Sequence, residues 1–209
     1  MDVSKPPYHH PHPWDMHLEP MALPAMLERT VARNPAAPFL HFLGRTFSYR
    51  DIYADARRFA AGLTEAGVAK GDRVGLFLPN VPIYAAAYYG AMMAGAIVVN
   101  FSPLYTVEEL AWQVADCGTP LLVTLDVPEL YRTASAVLEG SSRQTLVVGS
   151  LADMLPWGKG LLLKTLGRSK IARVGWNARI RPWREIMSNV ESAPVDLDPA
   201  ADLALLQYT

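Results

Sequence analysis

Cys117 is the only cysteine of this 209-residue sequence and its first candidate nucleophile. A catalytic cysteine needs a histidine beside it in the fold to accept its proton. The nearest histidines in the sequence, His17 and His41, fall on unrelated predicted elements. Cys117 is therefore interpreted as a small core or capping residue at a helix end. Asp72 follows a glycine before a strand and is interpreted as a turn residue rather than a catalytic carboxylate.

Three histidines near the N-terminus, His9, His10 and His12, have side chains that can bind a metal. No cysteine or carboxylate pattern around them sets a ligand geometry, so no metal ligand is predicted. Residues 1–20 are rich in proline and histidine and are predicted to form an extended N-terminal arm. The sequence holds no Gly-x-Gly-x-x-Gly motif and no complete Walker-type loop, which argues against dinucleotide binding.

The composition excludes several classes of protein. The 19 basic and 20 acidic residues leave a net charge of −1, which excludes a general nucleic-acid binder. Hydrophobic residues make up 51% of the chain, which excludes a mostly disordered protein. A single cysteine excludes a disulfide framework and indicates a reducing compartment. The N-terminus lacks the apolar stretch of a secretory signal, so we expect a cytoplasmic protein.

A long uncharged run raises the question of a membrane span. Residues 74–107 contain no charged side chain over 34 positions, and residues 83–99 are almost purely apolar. This inner stretch is shorter than the roughly 20 residues that cross a bilayer. Two glycines interrupt it, at Gly90 and Gly95. We therefore predict a buried helix that leads into a buried strand.

Periodicity places the chemistry-bearing residues on an alternating series of elements. A first helix passes through Met26 and Val31, and a strand hairpin follows at residues 38–47. Ser48 has the position of a helix N-cap, with Asp51 three residues later. The buried strands that follow are predicted at residues 73–78, 96–100, 121–124 and 145–148, with helices at 82–94, after Thr106 and at 128–138. This alternation predicts an α/β fold, an open and mostly parallel sheet with helices on both faces.

Five segments of the chain resemble segments that occur in the same order in the adenylate-forming (AMP-binding) superfamily. Residues 47–52, FSYRDI, resemble its first core motif, and residues 91–100, AMMAGAIVVN, resemble its second. Residues 71–80 also match the family, and residues 101–110 are similar to the form found in fatty acyl-CoA ligases. Residues 202–209, DLALLQYT, resemble the segment that leads into the phosphate-binding loop.

The resemblance implies a division of the chain. Residues 21–150 are expected to form the α/β N-terminal subdomain of the AMP-binding domain, residues 151–185 a basic and apolar insertion, and residues 186–209 the lead-in strand to the phosphate-binding loop. Thr209 is implied to contact ATP phosphates, whereas the earlier motifs are implied to be scaffold without catalytic residues. We expect a truncated chain, cut one residue into the loop and inactive alone.

The chemistry implied by the resemblance has two half-reactions. A fatty acid carboxylate attacks the α-phosphate of ATP, which needs Mg²⁺, and the thiol of CoA then takes the acyl group from the acyl-adenylate. Two alternatives stay open: a ligase for an aromatic or dicarboxylic acid, and a non-catalytic α/β binding module. The oligomeric state is also open.

A basic segment adds a possible partner. Between residues 159 and 184 the sequence holds eight basic residues and no acid, interleaved with leucine and tryptophan. These basic residues are Lys159, Lys164, Arg168, Lys170, Arg173, Arg179, Arg181 and Arg184. One hypothesis is that residues 155–184 contact anionic lipid at the inner membrane face. The other is an insertion packed on the enzyme with solvated charges.

Overall fold

The computed structural model describes residues 11, 13, 15, 16, 18–141, 144–190 and 195–208. The helices in these residues are α1 Leu23–Arg33, α2 Tyr49–Glu65, α3 Pro82–Met93, α4 Val107–Cys117, α5 Pro128–Glu139, α6 Trp157–Thr165 and α7 Trp183–Ile186. The strands are β1 Pro38–Phe42, β2 Arg45–Ser48, β3 Arg73–Phe77, β4 Ile97–Phe101, β5 Leu121–Leu125, β6 Thr145–Gly149, β7 Ile180–Pro182 and β8 Leu205–Gln207. Two 3₁₀ turns lie at Leu151–Met154 and Arg168–Lys170.

The sheet confirms the predicted α/β class. β1 and β2 form an antiparallel hairpin, and the other six strands form one parallel sheet in the order β7-β6-β5-β3-β4-β8. Crossovers between parallel strands are right-handed. Across the sheet, the connection from β3 to β4 moves toward the β8 edge, whereas the connections from β4 to β5 and from β5 to β6 move toward the β7 edge. It follows that α3 lies on one face, with α2 packed against it, and that α4 and α5 lie on the other.

Both predicted helix caps are present. The Ser48 hydroxyl accepts the Asp51 amide, and the Asp51 carboxylate accepts the Ser48 amide. Thr106 and Glu109 form the same reciprocal box at the start of α4. Each box satisfies two backbone donors that the first turn of a helix leaves without an intrahelical partner. The starts of α2 and α4 are therefore fixed by local sequence.

The uncharged run lies in the protein core, as predicted. Residues 83–99 form most of α3 and the first half of β4, and none of the helices in the described residues is long and apolar enough to cross a membrane. Gly95 has a φ of +75° at the turn between the two elements, a conformation that L side chains rarely adopt. A side chain at Gly90 would begin 2.6 Å from the carbonyl oxygen of Ala56, so α2 and α3 pack with their backbones close.

The structure adds a strand where the sequence shows no sheet period. β7 pairs in parallel with β6 inside the segment predicted as a basic and apolar insertion. Arg179 supports this edge, because its guanidinium donates to backbone carbonyls of Leu138 and Gln144, at 2.6 and 3.1 Å. A three-residue edge strand has too few residues to show alternation, which explains the omission.

Candidate functional site

The candidate site lies at the carboxyl ends of β4 and β8. Open α/β sheets bind ligands at this edge, beside strands whose following helices lie on opposite faces. β3 and β4 meet that condition, because α3 and α4 leave them toward opposite faces. The parallel register of β4 and β8 then places Gln207 next to Asn100.

A chain of hydrogen bonds joins three elements at this edge. The Tyr84 hydroxyl on α3 donates to Asn100 Oδ1 at 3.0 Å. Asn100 Nδ2 donates to Gln207 Oε1 at 3.3 Å, and Gln207 Nε2 donates to the carbonyl oxygen of Tyr208 at 3.1 Å. Burial raises the pKa of Tyr84, which keeps its hydroxyl protonated as a donor. The chain thus fixes the end of β8 against β4 and α3.

Tyr208 attaches the same end of β8 to α4. Its hydroxyl donates to Asp116 Oδ2 at 2.6 Å and lies 3.3 Å from the carbonyl oxygen of Gln113. Its ring stacks on Phe101 and meets Trp112 edge to face, with centroid distances of 6.4 and 6.1 Å. Removal from water and the hydrogen bond to Asp116 raise the pKa of Tyr208 well above its usual value. The hydroxyl therefore stays a donor across the physiological pH range.

Gln113, whose backbone carbonyl accepts from Tyr208, also has an unusual side-chain atom. The side chain is buried, and among the described residues nothing donates a hydrogen bond to its Oε1. A buried acceptor without a donor is costly and uncommon in folded proteins. The side chain of Gln113 therefore holds one buried acceptor without a donor among the described residues.

Asp126 is a polar residue of this sheet edge that sequence reasoning missed. It directly follows β5, it is only 8% exposed, and its carboxylate accepts the amide of Leu151 at 2.7 Å. Burial raises the pKa of Asp126, and the hydrogen bond from Leu151 opposes that effect. An acid directly after a strand with four apolar residues out of five was the available sequence signal. Its contacts fix the loop after β6 and give it a structural role.

Cys117 and Asp72, the other residues singled out in the sequence, make local contacts. The Cys117 thiol is 2.8 Å from the Thr119 hydroxyl at the end of α4, whereas His41 bonds Thr46 within the hairpin. The Asp72 carboxylate accepts the amide of Ala69 in the turn before β3. The structure thus places both Cys117 and Asp72 in local structural contacts.

Four residues singled out in the sequence lie outside the described residues: Thr209, which the resemblance implies to contact ATP phosphates, and the three histidines His9, His10 and His12. Among the residues that are described, no group of three or more histidine, cysteine, aspartate or glutamate side chains could hold a metal ion. Any Mg²⁺ in the reaction would therefore need ligands besides such a protein cluster, for example the phosphates of the substrate.

Only some of the basic side chains between residues 159 and 184 are free of contacts shown within the protein. The Lys159 ammonium donates to a carbonyl of the β1–β2 turn at 3.0 Å, and Lys164 pairs with Asp153 at 2.5 Å. The side chains that stay exposed include Arg168, Lys170 and Arg173. Large apolar side chains are exposed beside them, among them Trp157 and Leu166.

Similarity to known proteins agrees with this architecture. A family model described as "AMP-binding enzyme" matches residues 27–209. The chain is 33% identical to a long-chain-fatty-acid–CoA ligase of Bacillus subtilis over 201 residues, covering 94% of this chain and 36% of the relative. It is 36% identical to a protein of the same name from Escherichia coli O157:H7 over 197 residues, covering 88% of this chain and 33% of the relative.

A solved structure supports the fold. The crystal structure of coronafacic acid ligase from Pectobacterium brasiliense matches with a TM-score of 0.72 at 16% identity, over 90% of this chain and 33% of that one. The chain therefore spans about a third of the length of the relatives it matches.

Proposed function

The chain belongs to the AMP-binding enzyme family, and from this premise we propose that it forms the N-terminal part of an ATP-dependent fatty acyl-CoA ligase. The observation that carries the proposal is the family match over residues 27–209, together with relatives named long-chain-fatty-acid–CoA ligase. The proposed division is an α/β subdomain at residues 21–150, a basic and apolar segment at 151–185 and a lead-in strand at 186–209.

The proposed reaction balances in two steps. A carboxylate oxygen of the fatty acid attacks the α-phosphorus of ATP and pyrophosphate leaves, which gives the acyl-adenylate. The sulfur of the CoA thiol then attacks the acyl carbon and the thiol loses its proton. AMP leaves, which gives the acyl-CoA thioester. Mg²⁺, when bound, would supply neutralisation of the phosphate charge in the first step.

Within this scheme the described residues have a positioning role. The hydrogen-bond chain from Tyr84 to Gln207 and the contact between Tyr208 and Asp116 hold the end of β8. Thr209 follows at once in sequence, and we propose that its hydroxyl and amide contact ATP phosphates. The rigid end of β8 supports this proposal, because a loop binds phosphate well only when its entry is fixed.

Two alternatives differ in substrate or in class. A ligase for an aromatic or dicarboxylic acid would share the same scaffold. A non-catalytic α/β binding module would keep the scaffold and lack the reaction. We also propose a cytoplasmic location with peripheral membrane contact through residues 155–184, supported by the exposed apolar and basic side chains there.

The test is an assay of the complete gene product for acyl-CoA formation. Saturated acids of 8 to 18 carbons, benzoate and succinate are each supplied with ATP, Mg²⁺ and CoA, and AMP and thioester are measured. We expect turnover with the long acids and none from residues 1–209 alone. Preference for benzoate or succinate would favour the other ligase, and absence of all turnover would favour the binding module.

A further inference from the structure

Three cations that follow α6 have no partner within the described residues. We call Arg168, Lys170 and Arg173 the edge cations, and all three are exposed to solvent. None of their side chains makes a hydrogen bond or an ion pair with another described residue. Lys159 and Lys164, earlier in the same segment, are both bonded within the protein. The charge of the edge cations is therefore available to a ligand.

Two backbone contacts place the edge cations at the carboxyl edge of the sheet. The amide of Ala172 donates to the carbonyl oxygen of Asp126, the residue that directly follows β5, at 2.7 Å. The amide of Gly175 donates to the hydroxyl of Tyr131, near the start of α5, at 3.1 Å. Arg173 lies between these two contacts in the chain. The edge cations therefore border the same edge of the sheet as the candidate site at β4 and β8.

Little negative charge offsets the edge cations. The sequence holds no acid at residues 159–184, and the carboxylate of Asp153 is paired with Lys164. Asp126 is buried and its carboxylate accepts a backbone amide. Glu129 in the first turn of α5 is followed by Arg132, so the start of that helix adds no net charge. Arginine and lysine without a neighbouring exposed acid suit a ligand that carries several phosphate charges.

The position of the edge cations selects between the two phosphate-bearing substrates of the proposed reaction. In the sheet order β5-β3-β4-β8, the end of β5 lies three strand spacings from the end of β8, about 14 Å. The phosphates of ATP are proposed to bind at Thr209, directly after β8, which leaves the edge cations too far away to contact them. CoA carries its phosphates at the far end of a pantetheine arm about as long as four to five extended residues, roughly 15 Å. The length of that arm matches the separation.

We propose that the edge cations bind the 3′-phosphorylated nucleotide end of CoA. The guanidinium groups of Arg168 and Arg173 donate to phosphate oxygens in pairs, and the ammonium of Lys170 adds a point charge. The pantetheine arm then crosses the carboxyl edge of the sheet and brings the thiol to the acyl-adenylate beside β4 and β8. This assignment rests on the proposed function, because it locates the second substrate of the same reaction.

The experiment compares two thiol substrates of the complete protein, CoA and pantetheine, which lacks the nucleotide and all of its phosphates. The site variant is Lys170→Ala with Arg173→Ala. The matched control is Arg29→Ala with Arg33→Ala, which removes two other exposed cations that lie on α1. Binding of adenosine 3′,5′-bisphosphate, the nucleotide end of CoA, is measured by calorimetry without any turnover. Co-sedimentation with phosphatidylglycerol vesicles is measured for the same variants.

We expect the site variant to lose at least about tenfold in kcat/KM for CoA and in affinity for the bisphosphate, with kcat/KM for pantetheine unchanged. The control should match the wild type in every measurement. Unchanged kcat/KM for CoA, or an equal loss with pantetheine, would overturn the proposal. So would a site variant that loses only vesicle binding, because the cations would then serve a lipid head group. Absence of all thioester formation would refute the proposed function, and the calorimetric comparison would then decide alone whether the edge cations bind this nucleotide.

Discussion

Replacing Tyr208 by Phe tests whether the end of β8 positions the proposed phosphate-binding loop. The substitution removes one hydroxyl and keeps the ring, so the contacts with Phe101 and Trp112 persist. What is lost is the 2.6 Å hydrogen bond to Asp116, which joins β8 to α4. The entry to the loop should then be less well held, while the sheet stays intact.

The magnitude follows from the type of bond. A hydrogen bond to a charged group contributes about 1.5–3 kcal/mol, and about 1.4 kcal/mol corresponds to tenfold in a rate or equilibrium constant. The side chain of Tyr208 is partly exposed, so water replaces some of the lost interaction. We therefore expect Tyr208→Phe to lower kcat/KM for ATP by about tenfold.

The assay is ATP-dependent pyrophosphate release by the complete protein, with unfolding temperature measured alongside. Tyr53→Phe is the matched control, because the Tyr53 hydroxyl also donates to a carboxylate, that of Glu28, at 3.2 Å between α2 and α1. Asp116→Asn keeps an acceptor for Tyr208 and should retain most activity. Full activity in Tyr208→Phe, or an equal loss in Tyr53→Phe, would refute the positioning role.

Three further predictions concern stability, measured by urea denaturation. Gly62→Ala would place Cβ 1.5 Å from the Ile186 carbonyl oxygen and should destabilise the folded protein by about 3 kcal/mol. Gly158→Ala, its control, places Cβ in open space on α6 and should stabilise the folded protein by up to about 1 kcal/mol. Thr106→Ala removes the α4 cap and should cost about 1 kcal/mol. Burial raises the folded-state pKa of Asp126, so the stability it contributes falls as the pH rises from its unfolded pKa of about 4 to the folded value. Asp126→Asn should remove that decline, so that the variant gains stability relative to wild type as the pH rises above about 4; a difference that stays constant with pH would contradict this.

The sequence predicted the scaffold well where the information is local. The capping residues Ser48 and Thr106 lie within three residues of their partners, so the boundaries of α2 and α4 follow from short patterns. The run at residues 83–99 was correctly predicted as a helix followed by a strand. The two elements are separated at Gly95, which has the positive φ that glycine adopts readily. β7 was missed because its place in the sheet comes from pairing with β6 and from Arg179, not from its own pattern.

The candidate site depends on contacts of another kind. Tyr208 and Asp116 are 92 residues apart, and they meet only because β8 joins the sheet beside β4 while α4 returns along the opposite face. The lead-in strand predicted within residues 186–209 does not specify that register, since a shift of one residue would turn Tyr208 to the other face. The chain Tyr84–Asn100–Gln207 holds the register through side chains. Asn100, Gln207 and Tyr208 lie in segments that resemble the family, so those segments supply both strands of the scaffold and the polar contacts that hold the end of β8.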